Sequence, residues 1–325
     1  LYGASPAVCD SFVEKGKHDL ESLPGGGLYK PNSTSLRMGD LGYISKAQDD
    51  LNISYNTLED YCLDLENALT TPYKAYQDIG EFVDGKRVQL NTSVIQIENE
   101  YYSTIRPKRV CLTGERPVNV LRTEGIEYLE LRCVDLDPFS PVGVRRDQLD
   151  FMDTLLMYCL LKESPPIGRD EAETIKNNHE KIINNGRDVS QIINLNGDEG
   201  TTLDFSEKIL SELKEISSTL GGSVFKEGKN LWMESIDLQM KKIKNIDETL
   251  SGKVLNDLLT KNMSFREFGL KLANEHSQYF KTDQRYENLF FEEAAKVSLE
   301  KQDEIDAQIE PDFESYLKEY FSQTS

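Results

Sequence analysis

The chain has 325 residues, of which 38% are hydrophobic and 29% charged, a composition typical of folded globular proteins and not of disordered ones. Its formal net charge is −20, with 57 acidic against 37 basic residues, and such a field repels nucleic acid and anionic membrane surfaces. We therefore expect neither nucleic acid nor a membrane as a partner, and no apolar run approaches the length of a membrane span. A site for anionic substrates must supply its own positive charge.

The start of the sequence and its cysteines indicate whether the chain is a fragment and in which compartment it folds. The sequence opens LYGASPAVCD without an initiator methionine, which predicts a fragment of a larger protein. Its five cysteines are widely spaced and form no CxxC pair, which argues against a zinc ribbon or a secreted disulfide scaffold. We expect reduced thiols and a cytoplasmic location. The three histidines show no spacing typical of metal ligands.

The first informative segment is NSTSLRMGDLGY (32–43), which is too rich in glycine for a long helix and gathers polar groups around Arg37 and Tyr43. A guanidinium matches a carboxylate as a planar fork, and a nearby tyrosine hydroxyl can complete the recognition of an amino acid's carboxylate. A surface turn with an Arg–Asp pair explains the same residues, so both interpretations stay open.

Strand and turn signals continue through residues 81–109. In EFVDGKRVQL (81–90), the dipeptide Asp84-Gly85 between extended segments predicts a type I′ hairpin. In QIENEYYSTIRPKR (96–109), the pattern predicts a strand with alternate residues on one face, namely Gln96, Glu98, Glu100 and Tyr102. Such carboxylates suit Mg²⁺, and a solvated sheet face explains them equally well.

A second strand is predicted within GIEYLELRCVDLD (125–137), and it reads as buried. Side chains alternate across a strand, so Glu130 and Arg132 point to one face while a largely apolar set points to the other. Glu130 could hold a magnesium ion, and Arg132, one pleat away, could hold the phosphate that the ion bridges. A structural Glu–Arg pair is the alternative.

From about residue 146 the hydrophobic period becomes that of helices. Residues 145–164 carry a broad apolar stripe and stop before Pro165-Pro166, and residues 204–222 end at a predicted cap, Gly221. The last forty or so residues read as acidic amphipathic helix. We expect an α+β fold with a β-rich part over 1–165 and a helical part with an acidic C-terminal arm over 166–325, packed on the same domain.

Several segments together resemble the proteobacterial type of glutamate–cysteine ligase, in the family's order and spacing. They are LYGASPAVC (1–9), TSLRMGDLGY (34–43), the stretch 55–72 by its spacing, DGKRVQLNTSVIQIENEYY (84–102), IRPKRV (105–110) and GIEYLELRCVDLDPFSPVGV (125–144). The resemblance is most specific over residues 1–160. It implies an ATP-dependent ligation of the γ-carboxylate of L-glutamate to the amine of L-cysteine, through an acyl phosphate, as the first step of glutathione synthesis.

The resemblance also implies roles for particular residues. Glu130 looks like a magnesium ligand and Arg132 like the residue on the transferring phosphoryl group, while Arg37, Tyr43 and Tyr102 look like the pocket for cysteine. The resemblance assigns roles to Arg106, Glu98 and Glu100 less specifically, so these residues are not included in the predicted site. Mg²⁺ is the implied cofactor and ATP the co-substrate.

The implied fold is a glutamine-synthetase-like antiparallel sheet with packed helices, here only partial. The family's N-terminal part, which supplies most of the acidic magnesium ligands, is absent from this sequence. We therefore expect the chain alone to be inactive, with its missing N-terminal segment as a required partner. Three alternatives stay open: another ATP-dependent carboxylate–amine ligase, a non-catalytic subunit of the same fold, and a helical scaffold protein.

Overall fold

The computed structural model describes residues 3–14, 16, 18–42, 45–220, 225–226, 229–282, 288–308 and 312–323. The α-helices of this part are α1 (Leu58–Thr70), α2 (Lys74–Ile79), α3 (Pro117–Glu124), α4 (Arg146–Leu161), α5 (Arg169–Asn185), α6 (Thr202–Leu220), α7 (Leu231–Lys244), α8 (Leu250–Thr260), α9 (Phe265–Thr282), α10 (Asn288–Asp306) and α11 (Phe313–Ser322). No helix described here combines the length and the apolar character that a bilayer crossing requires.

The strands are short and antiparallel. They are β1 (Ala7–Val8), β2 (Glu21–Ser22), β3 (Leu28–Tyr29), β4 (Phe82–Val83), β5 (Lys86–Arg87), β6 (Ile105–Lys108), β7 (Tyr128–Leu131), β8 (Ile192–Leu195), β9 (Asp198–Thr201), β10 (Phe225–Lys226) and β11 (Lys229–Asn230). One sheet has three strands in the order β1–β3–β2, and the others are the ribbons β4–β5, β6–β7, β8–β9 and β10–β11. The expected mixture of helices and antiparallel sheet is confirmed, with the sheet divided into small separate pieces.

The chain divides into two compact units, each built from two separate stretches. Unit 1 comprises Leu1–Lys46 and Cys133–Asn274, and unit 2 comprises Ala47–Arg132 and Glu275–Ser325. The two units are interleaved along the chain, whereas the sequence suggested a single change of character near residue 165. The division at residue 165 into a β-rich and a helical part of one domain stays a prediction.

The core of unit 2 lies between α1 and α3. Helix α1 begins after the N-cap Thr57, whose side chain accepts a hydrogen bond from the Asp60 amide and so satisfies one of the open N–H groups of the first turn. The buried side chains of this core are Ile53, Tyr61, Cys62, Leu65, Ala68, Leu69, Ile95, Tyr101, Val118 and Leu121. They include Tyr101, so the residue directly before Tyr102 is fixed by apolar packing.

Unit 1 contains two apolar clusters. One joins the three-stranded sheet to α8 and α9 through Ala7, Leu23, Val254, Leu255, Leu258 and Phe268. The other joins α6 to α7 through Leu210, Leu213, Ile236 and Ile243, with residues of α4 packed against it. Apolar residues three or four positions apart on each helix form these stripes, as the helical period predicts.

Several local predictions are confirmed. The turn between β4 and β5 has Asp84 at φ 50° and Gly85 at φ 75°, the left-handed values that a type I′ hairpin requires. Helix α4 stops before Pro165, because a proline would remove a helical hydrogen bond. Helix α6 lies where its stripe predicted, although its predicted cap Gly221 lies outside the described residues.

Two strand predictions need correction. Residues 98–100 form a 3-10 turn, because Glu98 turns into the interior to pair with Arg116, and the expected row of carboxylates on a strand face is not formed. The strand within 125–137 exists only as β7, and it is not buried, since Tyr128 is 48% and Leu129 50% exposed. Within the described residues, β7 pairs with β6 alone, which leaves much of its surface open.

Candidate functional site

The ribbon β6–β7 has one charged and one apolar face. Its register places Arg106 opposite Glu130 and Pro107 opposite Leu129, and the Arg132 amide donates to the Thr104 carbonyl 2.9 Å away, which extends the pairing. Directly opposed residues of antiparallel strands share a face. The charged face therefore carries Arg106, Lys108, Glu130 and Arg132.

Glu130 lies between cations without a direct bond to either. Its Oε2 is 3.8 Å from Arg132 Nη1 and 4.0 Å from Lys108 Nζ, and this atom is buried without a hydrogen-bond partner in the described part of the chain. A charge-assisted hydrogen bond is shorter, at about 2.8 Å. The side chain as a whole is 40% exposed, so the carboxylate can also be reached by a ligand.

Arg106 is the buried cation of this face. It is 3% exposed, its Nη1 donates to the Asn99 carbonyl at 3.2 Å, and its Nε and Nη2 find no acceptor among the described residues. Burial lowers the pKa of the Arg106 guanidinium, and the positive charge of Arg132 lowers it further, while Glu130 opposes this effect. The ribbon thus gathers three cations around one carboxylate, which supplies the local positive charge that an anionic ligand needs.

The described residues fit a magnesium ion only in part. Within the ranges that the structure describes, no group of three or more His, Cys, Asp or Glu side chains is placed to hold a metal. Mg²⁺ at phosphate-transfer sites commonly takes one or two protein carboxylates and completes its shell with phosphates and water. Glu130 can supply one such ligand, but the two cations beside it oppose a divalent ion.

Tyr102 follows the 3-10 turn and is held through its backbone. Its amide donates to Gln48 Oε1 at 2.9 Å, and Gln48 Nε2 donates to the Glu100 carbonyl at 2.7 Å, so that one amide side chain closes over the turn. The Tyr102 side chain is 37% exposed. Gln48 was not predicted from the sequence, because no local pattern of residues marks it as a partner of residues more than fifty positions away.

In unit 1, Asp135 organises the surroundings of Arg37. Its Oδ2 accepts from the Ala4 amide at 2.7 Å and from Ser5 Oγ at 2.8 Å, and its Oδ1 accepts from Arg37 Nε at 2.6 Å. Asp135 is 8% exposed, whereas the Arg37 side chain is 38% exposed. Three of the motifs singled out in the sequence therefore meet at one carboxylate. Sequence reasoning missed Asp135, although it lies within the segment 125–137 that was singled out for its strand.

The predicted site residues are thus distributed over both units. Arg37 belongs to unit 1, whereas Tyr102, Glu130 and Arg132 belong to unit 2. Of these, only Glu130 and Arg132 are neighbours on one element. Tyr43 lies outside the described residues.

A separate cavity of about 190 Å³ lies on the apolar face of the ribbon. Its lining residues are Tyr55, Thr57, Leu58, Tyr61, Ile105, Pro107, Ile126 and Leu129. None of the predicted site residues lines it, and its walls are mostly apolar. The charged face, and not this cavity, is the candidate site for an anionic substrate.

The glutamate–cysteine ligase family model matches residues 1–182 of the chain. A glutamate–cysteine ligase of Pseudomonas fluorescens is 38% identical over 322 residues, which cover 98% of this chain and 60% of the relative. One from Alcanivorax borkumensis is 39% identical over 329 residues, covering 99% of this chain and 62% of the relative. The chain thus spans about three fifths of the length of these curated relatives.

Solved structures agree with this match. The crystal structure of glutamate–cysteine ligase from Francisella tularensis in complex with AMP has a TM-score of 0.89 at 30% identity and covers 99% of this chain and 63% of that chain. A bifunctional glutathione synthetase from Pasteurella multocida has a TM-score of 0.55 at 19% identity over 86% of this chain and 29% of that chain, which is a likeness of fold alone. With more than half of its residues matched by the family model and close relatives over nearly all of its length, this chain belongs to the glutamate–cysteine ligase family.

Proposed function

We propose that the chain carries part of an enzyme that joins the γ-carboxylate of L-glutamate to the amine of L-cysteine at the expense of ATP. Membership of the glutamate–cysteine ligase family supports the reaction class. The observation that carries the proposal for this chain is the charged face of the ribbon, where Glu130 and Arg132 lie side by side with Arg106 opposite. The AMP bound to the Francisella relative supports an adenine nucleotide as co-substrate.

In the first step an oxygen of the γ-carboxylate of glutamate attacks the γ-phosphorus of ATP. The bond from that phosphorus to the bridging oxygen breaks, ADP leaves with the electron pair, and γ-glutamyl phosphate forms. The protein's contribution to such a transfer is position and charge, since negative charge spreads over the phosphoryl oxygens. Arg132 is the proposed donor to these oxygens.

In the second step the amine nitrogen of cysteine attacks the acyl carbon. The carbon–oxygen bond to the phosphate breaks, inorganic phosphate leaves, and the nitrogen loses a proton as the amide forms. Arg37, Tyr43 and Tyr102 are the proposed contacts for the cysteine, with Arg37 pairing its carboxylate. Asp135 orients the Arg37 guanidinium through Nε.

Other parts of the prediction extend beyond the described residues. Mg²⁺ neutralises phosphate charge in reactions of this class, and Glu130 is proposed as one of its ligands, the remaining ones coming from outside the set described here. A larger sheet of the glutamine-synthetase type would need strands in addition to the ribbons of this chain, and the part of the curated relatives that this chain does not span is their proposed source. The cytoplasmic location stays a prediction.

The test measures phosphate release from ATP and Mg²⁺ with L-glutamate, with and without L-cysteine. The chain is assayed alone and together with the segment of the Pseudomonas fluorescens relative that it does not span. Arg132→Ala is compared with Arg169→Ala, which changes an exposed arginine at the start of α5. With the added segment, and not without it, we expect phosphate release that depends on cysteine. This activity should be lost in Arg132→Ala and kept in Arg169→Ala. If no phosphate is released either by the chain alone or with the added segment, the ligase assignment for this chain is contradicted.

The same assay separates the alternatives. Serine and 2-aminobutyrate replace cysteine to test the acceptor, because Arg37, Tyr43 and Tyr102 could grip the carboxylate of any amino acid. Turnover with equal preference for all three favours another carboxylate–amine ligase. ATP binding that Arg132→Ala abolishes, without turnover in the parent chain even with the added segment, favours a non-catalytic subunit.

A further inference from the structure

The 3-10 turn at residues 98–100 is tied to the C-terminal helix α11. Glu98 Oε1 pairs with Arg116 Nη2 at 3.0 Å, and its Oε2 accepts from the Tyr320 hydroxyl at 3.3 Å. Glu98 is 6% and Arg116 2% exposed, and the Arg116 guanidinium lies over the Tyr320 ring, 5.8 Å from its centre. Tyr320, 222 positions beyond Glu98 in the chain, thus contacts both partners of this buried ion pair.

Helix α11 is anchored in unit 2 at both ends. Near its start, Glu314 accepts two hydrogen bonds from the fork of Arg87, at 2.7 and 2.5 Å. Just beyond its end, Gln323 Nε2 donates to the Gly114 carbonyl at 2.7 Å. With both ends fixed, the Tyr320 hydroxyl is presented to Glu98 from a docked element and not from a free tail.

The 3-10 turn is bound to Gln48 and to Arg106 as well as to helix α11. Its Glu100 carbonyl and the following Tyr102 amide are bound by Gln48, and its Asn99 carbonyl accepts from Arg106 on the charged ribbon. A shift of Glu98 would therefore move the backbone that presents Tyr102. Burial raises the pKa of Tyr320, and the Glu98 carboxylate raises it further, so the hydroxyl stays protonated and able to donate.

We infer that Tyr320 is a positioning residue, which fixes the turn before Tyr102 by donating to the second oxygen of the buried Glu98 carboxylate. The C-terminal helix thereby contributes to the affinity for cysteine without touching it. The inference rests on the proposed function, which places Tyr102 in the cysteine pocket. Its physical reason is that a buried carboxylate oxygen deprived of its donor is costly, and the turn relaxes to satisfy it.

The first test compares Tyr320→Phe with Tyr316→Phe by hydrogen exchange of the chain. Tyr316 stacks on Tyr320 one helical turn away, and its hydroxyl has no hydrogen bond to the described residues, so the two changes are matched in chemistry. We expect exchange in residues 96–102 to become faster by about tenfold in Tyr320→Phe alone. Equal exchange in both variants and the parent chain overturns the inference.

The second test measures the KM values for cysteine and ATP in the phosphate-release assay with the added segment. We expect Tyr320→Phe to raise the KM for cysteine by about threefold to tenfold, to change the KM for ATP less than twofold, and Tyr316→Phe to change neither. Faster exchange with both KM values unchanged, or raised equally, overturns the link to the cysteine pocket. Absence of turnover in the parent chain together with the added segment contradicts the proposed function, while the exchange result still decides whether Tyr320 fixes the turn.

Discussion

The Glu130 carboxylate and the Arg132 guanidinium lie 3.8 Å apart on one face of the ribbon, close enough to attract each other and too far apart for a short hydrogen bond. Their side chains are 40% and 30% exposed. An ion pair with this exposure contributes only about 0 to 1 kcal/mol to stability. Changes at either residue should therefore affect activity far more than folding, and this separates a functional pair from a structural one.

Arg132→Lys tests the need for a planar fork. Lysine keeps the positive charge but presents it as a point, so the two-pronged contact to a phosphoryl group is lost. We expect kcat to fall by about a hundredfold in the assay with the added segment, with the free energy of unfolding changed by less than about 1 kcal/mol. Urea unfolding measures the change in the free energy of unfolding. Unaltered kcat would show that Arg132 does not contact the transferring group.

Glu130→Gln tests the proposed metal ligand. An amide oxygen carries no negative charge, so the Mg²⁺ concentration that supports half-maximal phosphate release should rise by about tenfold or more. Glu199→Gln, an exposed change on β9, is the matched control. If both variants respond to Mg²⁺ as the parent does, Glu130 does not bind the ion.

The features that the sequence predicted well depend on neighbours along the chain. Asp84-Gly85 forms its hairpin and α4 stops before Pro165, because these outcomes follow from the backbone preferences of a few adjacent residues. Alternation likewise predicted that Glu130 and Arg132 share a face, where their charged groups lie 3.8 Å apart. None of these conclusions requires knowledge of contacts elsewhere in the fold.

The predictions that failed depend on distant partners. Glu98 turns inward because Arg116 and Tyr320 meet it there, and Tyr320 lies 222 positions away. Asp135 became visible as the partner of Arg37 only in the structure, since its contact with the Ala4 amide spans 131 positions. A local pattern of residue types does not contain such pairings, and it therefore predicts an open strand face where the fold forms a buried turn.

Asp135→Asn should destabilise unit 1. The aspartate accepts from two neutral donors and from the Arg37 guanidinium, and the amide would turn an N–H group toward at least one of these donors. We expect the free energy of unfolding to fall by about 2 to 4 kcal/mol, against less than about 0.5 kcal/mol for Asp78→Asn in the exposed pair of α2. Urea unfolding of both variants measures the difference. Equal losses would mean that Asp135 does not organise its surroundings.

His179 on α5 should make stability depend on pH. Burial lowers the pKa of this imidazole below its ordinary value of 6.5, so the unfolded chain takes up a proton more readily than the folded one. Its contribution to stability is complete above about pH 6.5 and is lost as the pH falls through that value toward the folded pKa, at no more than about 1.4 kcal/mol per pH unit. Urea unfolding at pH 7.5 and 5.5 should show a smaller fall in stability for His179→Gln than for the parent chain. A fall of the same size in both would mean that His179 is charged in the folded state at pH 5.5, which would contradict the effect of burial.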